Sequence, residues 1–465
     1  MVKMARKSIR FIGAGLLAAA VVAAIWFRPD RAARVIAGLT AHNLCSAVFV
    51  AGLDADATQR EQLQAILGTT AIRLTAFRID RARSSVDASF AGLVHAGAQF
   101  TPGYGCRLTY PQNIPAPGAR STLPPFAADD LAPPDAVAAS DPTLAAAMER
   151  VFAESAGEPT KNVKAVVIVK DGRLVAERYA AGFGVGTPLL SYSVAKSFTN
   201  ALLGILVRQG RLRAQQPVGA AEWAAPNDQR AQITIEDLLR MQSGLDAAES
   251  ESAFSAVALM EYTQADMAGY GARHPAKEPR ATEWEYTSAD TLILDRLLGH
   301  VVGGGAAGMR DFADRELFSP LHMAGVTMEF DGAGVFVGSS YVYAPARSYA
   351  RLGELYLNDG LAPDGSRILP EGWVAWSRRS TLGSPYGAGF WTNDGPSRAA
   401  ARRVASGFPK DGFYASGDLG QRIYIIPSKR LVVARFGYSL PPDYGIVDDL
   451  ALIDAAIRSA DSGHP

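Results

Sequence analysis

The sequence predicts an α+β protein: an antiparallel sheet built from N- and C-terminal strands, flanked by helices, with a helical lobe between them. Three observations carry this. Two strand-like runs, VKAVVIVK from Val163 and RLVAERYA from Arg173, are joined by Asp171-Gly172, the strongest short hairpin signal available. From about Ser193 to Leu355 the chain turns helix-rich, with IEDLLRMQ and the apolar run TLILDRLLGHVVG. Strand character then returns in GFYASGDLG, QRIYIIP and RLVVARFGYS, the last two separated by Pro427-Ser428-Lys429. Strands at both ends of a body whose middle is helical meet in one sheet.

The elements follow in order. Lys3, Arg6, Lys7 and Arg10 precede an uncharged run from Phe11 to Phe27, FIGAGLLAAAVVAAIWF. Seventeen residues sit at the lower edge of a membrane span and above a usual signal-peptide core. The basic flank keeps the N-terminus cytoplasmic and sends the rest outward, so residues 1–28 read as an inner-membrane anchor facing the periplasm. Cleavage after Ala20 or Ala24, releasing the chain to the periplasm, is the alternative; the bulky Ile25, Trp26 and Phe27 favour the anchor. Cys45 and Cys106 lie beyond it, in an oxidising compartment, and are candidates for a disulfide. Residues 29–142 form a cysteine-bearing segment and a wrapping linker, because nine of the 27 prolines fall between Pro102 and Pro142. The body spans 143–462, opening with the helical TLAAAMERVFAE and closing with VDDLALIDAAIRSA; its helical lobe covers about 210–370.

Composition excludes several functions. The chain has 465 residues, 46 Lys+Arg against 46 Asp+Glu, 48% hydrophobic and 20% charged residues, which fits a folded protein with a large core. With no basic excess to release counterions, nucleic acid is not an expected partner. The six histidines are scattered and neither HExxH nor a His/Cys cluster occurs, so no metal is expected. No GxSxG elbow occurs, and no GxGxxG or P-loop follows a strand, which argues against an α/β-hydrolase or a nucleotide site. No cofactor is expected.

One candidate for chemistry remains: Ser193-Val194-Ala195-Lys196, a serine three residues before a lysine. On a helix these positions share a face, so the amine reaches the hydroxyl. A buried lysine loses affinity for its proton and can take the serine's. Alone the tetrapeptide is weak, since a helix N-cap serine and a solvated lysine give the same spacing.

Context sharpens it. PLLSYSVAKSFTNALLGILVRQGRL, ITIEDLLRMQSGL, WEYTSADTLILDRLLG, LFSPLHMAGVTM, PARSYARLGELYLNDG and YGAGFW occur in this order, within a resemblance that runs from about Lys164 to about Tyr438. Together they resemble the penicillin-recognising serine hydrolases, the group of serine β-lactamases, DD-peptidases and related esterases. The resemblance implies the β-lactamase/transpeptidase fold and an acyl-enzyme on Ser193. It makes Tyr286 the phenolic partner of Lys196 in a Tyr-x-Asn motif, here Tyr286-Thr287-Ser288, where Ser288 replaces the amide. It aligns Ala415-Ser416-Gly417 with a Lys-Thr-Gly strand, so Ser416, Gly417 and Asp418 border the substrate, with the Ser193 and Asp418 N–H groups as the oxyanion hole. Alanine at 415 removes the cation that would hold a substrate carboxylate. The segments AHNLCSAVFVAGLD and PGYGCRL resemble the 6-aminohexanoate-dimer hydrolase-like branch, which implies a small-molecule amide or ester substrate. The rivals are a β-lactamase or DD-carboxypeptidase, and a membrane-tethered acyl-binding sensor without turnover. Asp418, Asp411 or Glu285 would meet a substrate ammonium, and Phe390 with Trp391 would line an acyl pocket; solvated or capping carboxylates and ordinary core aromatics are the bland alternatives.

Overall fold

Reading the hairpin at Asp171-Gly172 against a computed structural model of the chain, which describes residues 28–111, 117–119, 135–154, 161–250, 252–442 and 444–461, both turn residues have positive φ, +49° and +73°. That is the twist a two-residue antiparallel turn requires, and glycine supplies half of it at no steric cost. The turn joins β5 (Val163–Lys170) to β6 (Arg173–Tyr179). The six-stranded sheet runs β10-β11-β12-β13-β5-β6, antiparallel throughout, with β10 Trp391–Thr392, β11 Phe413–Gly417, β12 Gln421–Ile426 and β13 Leu431–Gly437.

Within β5, Ala165 to Val169 read as an unbroken apolar run because both faces of the sheet are covered. Ala165, Val167 and Val169 face a core shared with Phe198, Leu202 and Tyr349, residues of α3 (Ala195–Arg208) and α7 (Ala346–Leu357). Val166 and Ile168 face the opposite layer, made by α2 (Pro142–Phe152) and α8 (Ile446–Asp461). Asp449 on α8 locks that layer: its carboxylate meets Arg422 Nη1 at 2.9 Å, Arg435 Nε at 3.3 Å and the Tyr424 hydroxyl at 2.8 Å, all buried. The α+β class is confirmed.

Between the sheet halves lie α4 (Ala256–Thr263), α5 (Met267–Ala272), α6 (Ser288–Val302) and a second, three-stranded sheet in the order β7-β9-β8. Its strands are Leu189–Leu190, Thr327–Met328 and Val342–Ala344, for β7, β8 and β9 respectively. Two or three residues are too few to show a period, so these strands carry no signal in the sequence.

The N-terminal part is a layer of its own. Helix α1 (Pro29–Phe49) lies on a four-stranded antiparallel sheet, β1 Thr75–Asp80, β2 Ser85–Phe90, β3 Val94–Thr101 and β4 Gly105–Leu108. Cys45 of α1 and Cys106 of β4 form a disulfide, with Cα atoms 6.0 Å apart. Strand β4 corrects the reading of Pro102–Pro142 as linker throughout. No proline lies between Pro102 and Pro111, so Gly105–Leu108 is free to pair, and it does so at the sheet edge. The remaining prolines of that stretch fall mostly outside the described residues, as does the apolar run Phe11–Phe27. Among the described helices, α1 alone has the length and hydropathy to cross a membrane, but 78% of its most apolar window is buried inside the protein. It is a core helix here.

Glu329 clamps this layer to the body. Its Oε1 accepts from Ser46 Oγ and from the Cys106 N–H, both at 2.7 Å. Its Oε2 lies 3.0 Å from His42 Nε2, close but out of line for a hydrogen bond. Gly105 has φ +69°, and a β-carbon there would come within 2.5 Å of the Glu329 side chain. The carboxylate therefore depends on glycine at this position.

Candidate active site

The motif straddles the start of a helix. Ser193 sits in a single 3₁₀ turn, Tyr192–Val194, and α3 begins at Ala195. The turn is held under strain: Tyr192 has φ +42°, a left-handed conformation that a β-carbon disfavours. Its ring is buried, and its hydroxyl accepts from Gln62 Nε2 at 2.7 Å. Thus a residue of the N-terminal layer fixes the residue next to Ser193.

Lys196 Nζ lies 2.9 Å from Ser193 Oγ, 3.0 Å from Ser288 Oγ and 3.1 Å from the Ser339 carbonyl oxygen. The lysine is 2% exposed, and burial lowers its pKa; Glu249, Glu261 and Asp295 act against that by attracting the cation. Tyr286 stands over the amine, its ring centre 4.8 Å from Nζ, with its hydroxyl close to Ser193. Burial holds that phenol well above its usual pKa, so Tyr286 keeps its proton. Tyr286 is gripped by Trp391 at 5.7 Å and Tyr386 at 5.5 Å between ring centres.

On the other side, the end of β11 presses against the serine. A β-carbon at Gly417 would stand 2.3 Å from the Ser191 oxygen and 3.0 Å from the Ser193 nitrogen. Only glycine leaves that nitrogen open. The strand and the serine turn thus bring Ser193, Gly417 and Asp418 together, and Ser193 and Asp418 share a cavity of about 340 Å³.

That cavity holds two residues with no sequence signal. Glu249 Oε2 accepts from both the N–H and the hydroxyl of Ser288, each at 2.8 Å. Glu261, on α4, accepts from Ser339 Oγ at 3.0 Å and Ser340 Oγ at 2.6 Å, and burial raises its pKa. The opposite wall comes from the N-terminal layer: Val35, Ile36 and Leu39 of α1, with Ile66 and Leu67. Among the described lining residues three are carboxylic acids (Glu249, Glu261, Asp418) and none is Lys or Arg.

Other expected site residues separate. Asp411 instead accepts from the N–H and hydroxyl of Ser428, a turn contact, and Glu285 pairs with Lys277 at 2.7 Å. Phe390 is core, packed on Tyr356 and Phe413, while Trp391 stays beside Tyr286. Ser416 lies on β11 opposite Arg422, half-buried. No group of three or more His, Cys, Asp or Glu side chains among the described residues is arranged to hold a metal ion.

The Beta-lactamase family model matches residues 148–457, two thirds of the chain. The chain belongs to that family, the penicillin-recognising serine hydrolases. A 6-aminohexanoate-dimer hydrolase of Paenarthrobacter ureafaciens is 26% identical to this beta-lactamase-family chain over 225 residues, 45% of this chain and 55% of the relative, so the match spans about half of that protein. A candidate 6-aminohexanoate-dimer hydrolase from Bacillus anthracis shares the fold at TM-score 0.54 and 20% identity, over 65% of this chain and 81% of that one. A penicillin-binding protein homologue from Caulobacter crescentus gives 0.52 and 16%, over 69% and 100%. The family match begins at residue 148, so the layer that carries Val35, Gln62 and the disulfide lies outside it.

Proposed function

We propose that this chain hydrolyses amide or carboxylic ester bonds through an acyl-enzyme on Ser193. The observation that carries the reading is the buried Lys196 amine 2.9 Å from Ser193 Oγ. Ser193 Oγ bonds to the substrate carbonyl carbon as its proton passes to neutral Lys196. The backbone N–H groups of Ser193 and Asp418 take up the oxyanion, and glycine at 417 leaves the Ser193 N–H uncovered for that role. Tyr286 and Lys196 return the proton to the leaving amine or alcohol, and a water then releases the acid.

The cavity narrows the substrate. Three carboxylic acids, no basic lining residue and alanine at 415 disfavour a substrate carboxylate, which penicillins and peptidoglycan stems carry. The aliphatic wall suits an uncharged acyl group, and the likeness to a 6-aminohexanoate-dimer hydrolase supports an amide. The disulfide fits an oxidising compartment, so the site would face the periplasm, tethered or released according to the fate of residues 1–28.

A fluorophosphonate probe and a series of p-nitrophenyl esters with short ω-amino-acid amides test this. Wild-type protein should label at Ser193 and turn over, whereas Ser193→Ala should do neither. Equal labelling of both proteins would sink the reading. Nitrocefin turnover matching the esters would restore the β-lactamase alternative, and a burst without a steady state would favour the acyl-binding sensor.

A further inference from the structure

We propose that Glu249 is a positioning residue, which through Ser288 orients the Lys196 lone pair onto Ser193. The inference rests on the acyl-enzyme reading above and follows from counting protons around the amine. A carboxylate only accepts, so the single hydroxyl proton of Ser288 is committed to Glu249 Oε2 at 2.8 Å. The Ser288 N–H, which can only donate, meets the same oxygen at 2.8 Å and fixes the carboxylate in place. Ser288 Oγ is therefore left as an acceptor toward Lys196 Nζ, 3.0 Å away.

A neutral amine has two N–H bonds and one lone pair. The Ser339 carbonyl oxygen accepts one N–H at 3.1 Å, and Ser288 Oγ accepts the other. The lone pair is left for the third neighbour, Ser193 Oγ at 2.9 Å, which then has to donate its proton. Without Glu249, Ser288 is free to turn its hydroxyl proton onto the amine and occupy the lone pair. Ser193 would lose its base, though every catalytic side chain remained.

Glu249 has a second, opposite effect through charge. The groups facing Lys196 are Glu249, Glu261 on α4, Asp295 on α6 and the Tyr286 ring. Asp295 is bound by Thr199 Oγ and the Gly338 N–H, and its pKa is well above the usual carboxylate range because of burial. Glu249 attracts the lysine cation and thereby raises the pH at which the amine becomes neutral. The two effects separate in Glu249→Gln, which retains an acceptor oxygen and lacks the charge, and in Glu249→Ala, which lacks both.

The test is the pH profile of kcat/KM for p-nitrophenyl butyrate hydrolysis by the full chain, with fluorophosphonate labelling of Ser193 alongside. Glu249→Ala should lower the plateau by about tenfold to a hundredfold, a fraction of what general-base catalysis supplies. Glu249→Gln should lose less than Glu249→Ala, and in both the alkaline rise should move to lower pH. A Glu249→Ala plateau within twofold of wild type overturns the inference, as does a rise that stays put or moves up in either variant. If Glu249→Ala fails to fold, judged by circular dichroism, the Glu249→Gln shift alone decides. Wild-type protein that neither labels nor turns over overturns the acyl-enzyme reading and this inference with it; labelled, active wild type with indifferent Glu249 variants overturns the inference alone.

Discussion

Glu329→Ala is the sharpest probe of how the N-terminal layer is held. The substitution removes one oxygen that two buried donors share, Ser46 Oγ and the Cys106 N–H, both at 2.7 Å. It also removes the carboxylate 3.0 Å from His42. Each donor left buried without a partner costs about 1–3 kcal/mol, and the alanine leaves a void as well, so the loss should be about 3–5 kcal/mol. Glu329→Gln retains one acceptor oxygen and should lose about half as much. Urea unfolding followed by tryptophan fluorescence, with a Cys45→Ser, Cys106→Ser protein beside it, gives the comparison. The disulfide closes a 61-residue separation, which chain entropy values at about 4 kcal/mol. A loss under about 1 kcal/mol for Glu329→Ala would refute the clamp, because donors that find water so readily were never shut in.

Three more outcomes follow from the site and core. The kcat/KM of the wild-type chain should rise with pH to a plateau whose midpoint lies below the ordinary lysine value, since burial lowers the pKa of Lys196 and only its neutral form accepts a proton; Lys196→Met should abolish the rise in a pH-stat or p-nitrophenol assay. Gly417→Ala should cut kcat by about a hundredfold with a smaller change in KM, because its β-carbon would crowd the Ser193 N–H expected to bind the oxyanion. Steady-state kinetics on a folded variant checks it. Asp449→Asn should destabilise the chain by about 3–5 kcal/mol in thermal or urea unfolding, since Arg422 and Arg435 are then buried with no counter-charge.

Much of the sheet was legible because its signals are local. Asp171-Gly172 marks its own turn, and β13 is apolar but for Arg435 because both faces of the sheet are covered. Ser193 and Lys196 were legible for a similar reason: three residues on a helical turn bring their side chains together whatever the rest of the chain does. Glu249 was not. It meets Ser288 across 39 positions, and nothing in AESESAF marks one glutamate out from its neighbour. Helix α1 escaped for another reason. Its residues from Val35 to Val48 are all buried, so no polar stripe alternates with an apolar one to reveal a helical period. Tyr286 and Ser288 were placed by resemblance, since nothing local in the sequence shows that both lie beside Lys196 in the fold. Asp411 and Glu285 could not be told from Asp418 in sequence, since a carboxylate's partner is chosen by the fold.

The position of Gln62 has a practical bearing on where this chain can be cut. A fragment trimmed to the family's own span would retain Ser193, Lys196 and Tyr286, yet it would lack the side chain that braces Tyr192 at φ +42° and the aliphatic wall opposite Glu249. With its brace gone the turn is free to relax toward ordinary helix, which would carry Ser193 Oγ out of line with Lys196. Reactivity and selectivity in such a fragment would then be set by a segment it no longer contains.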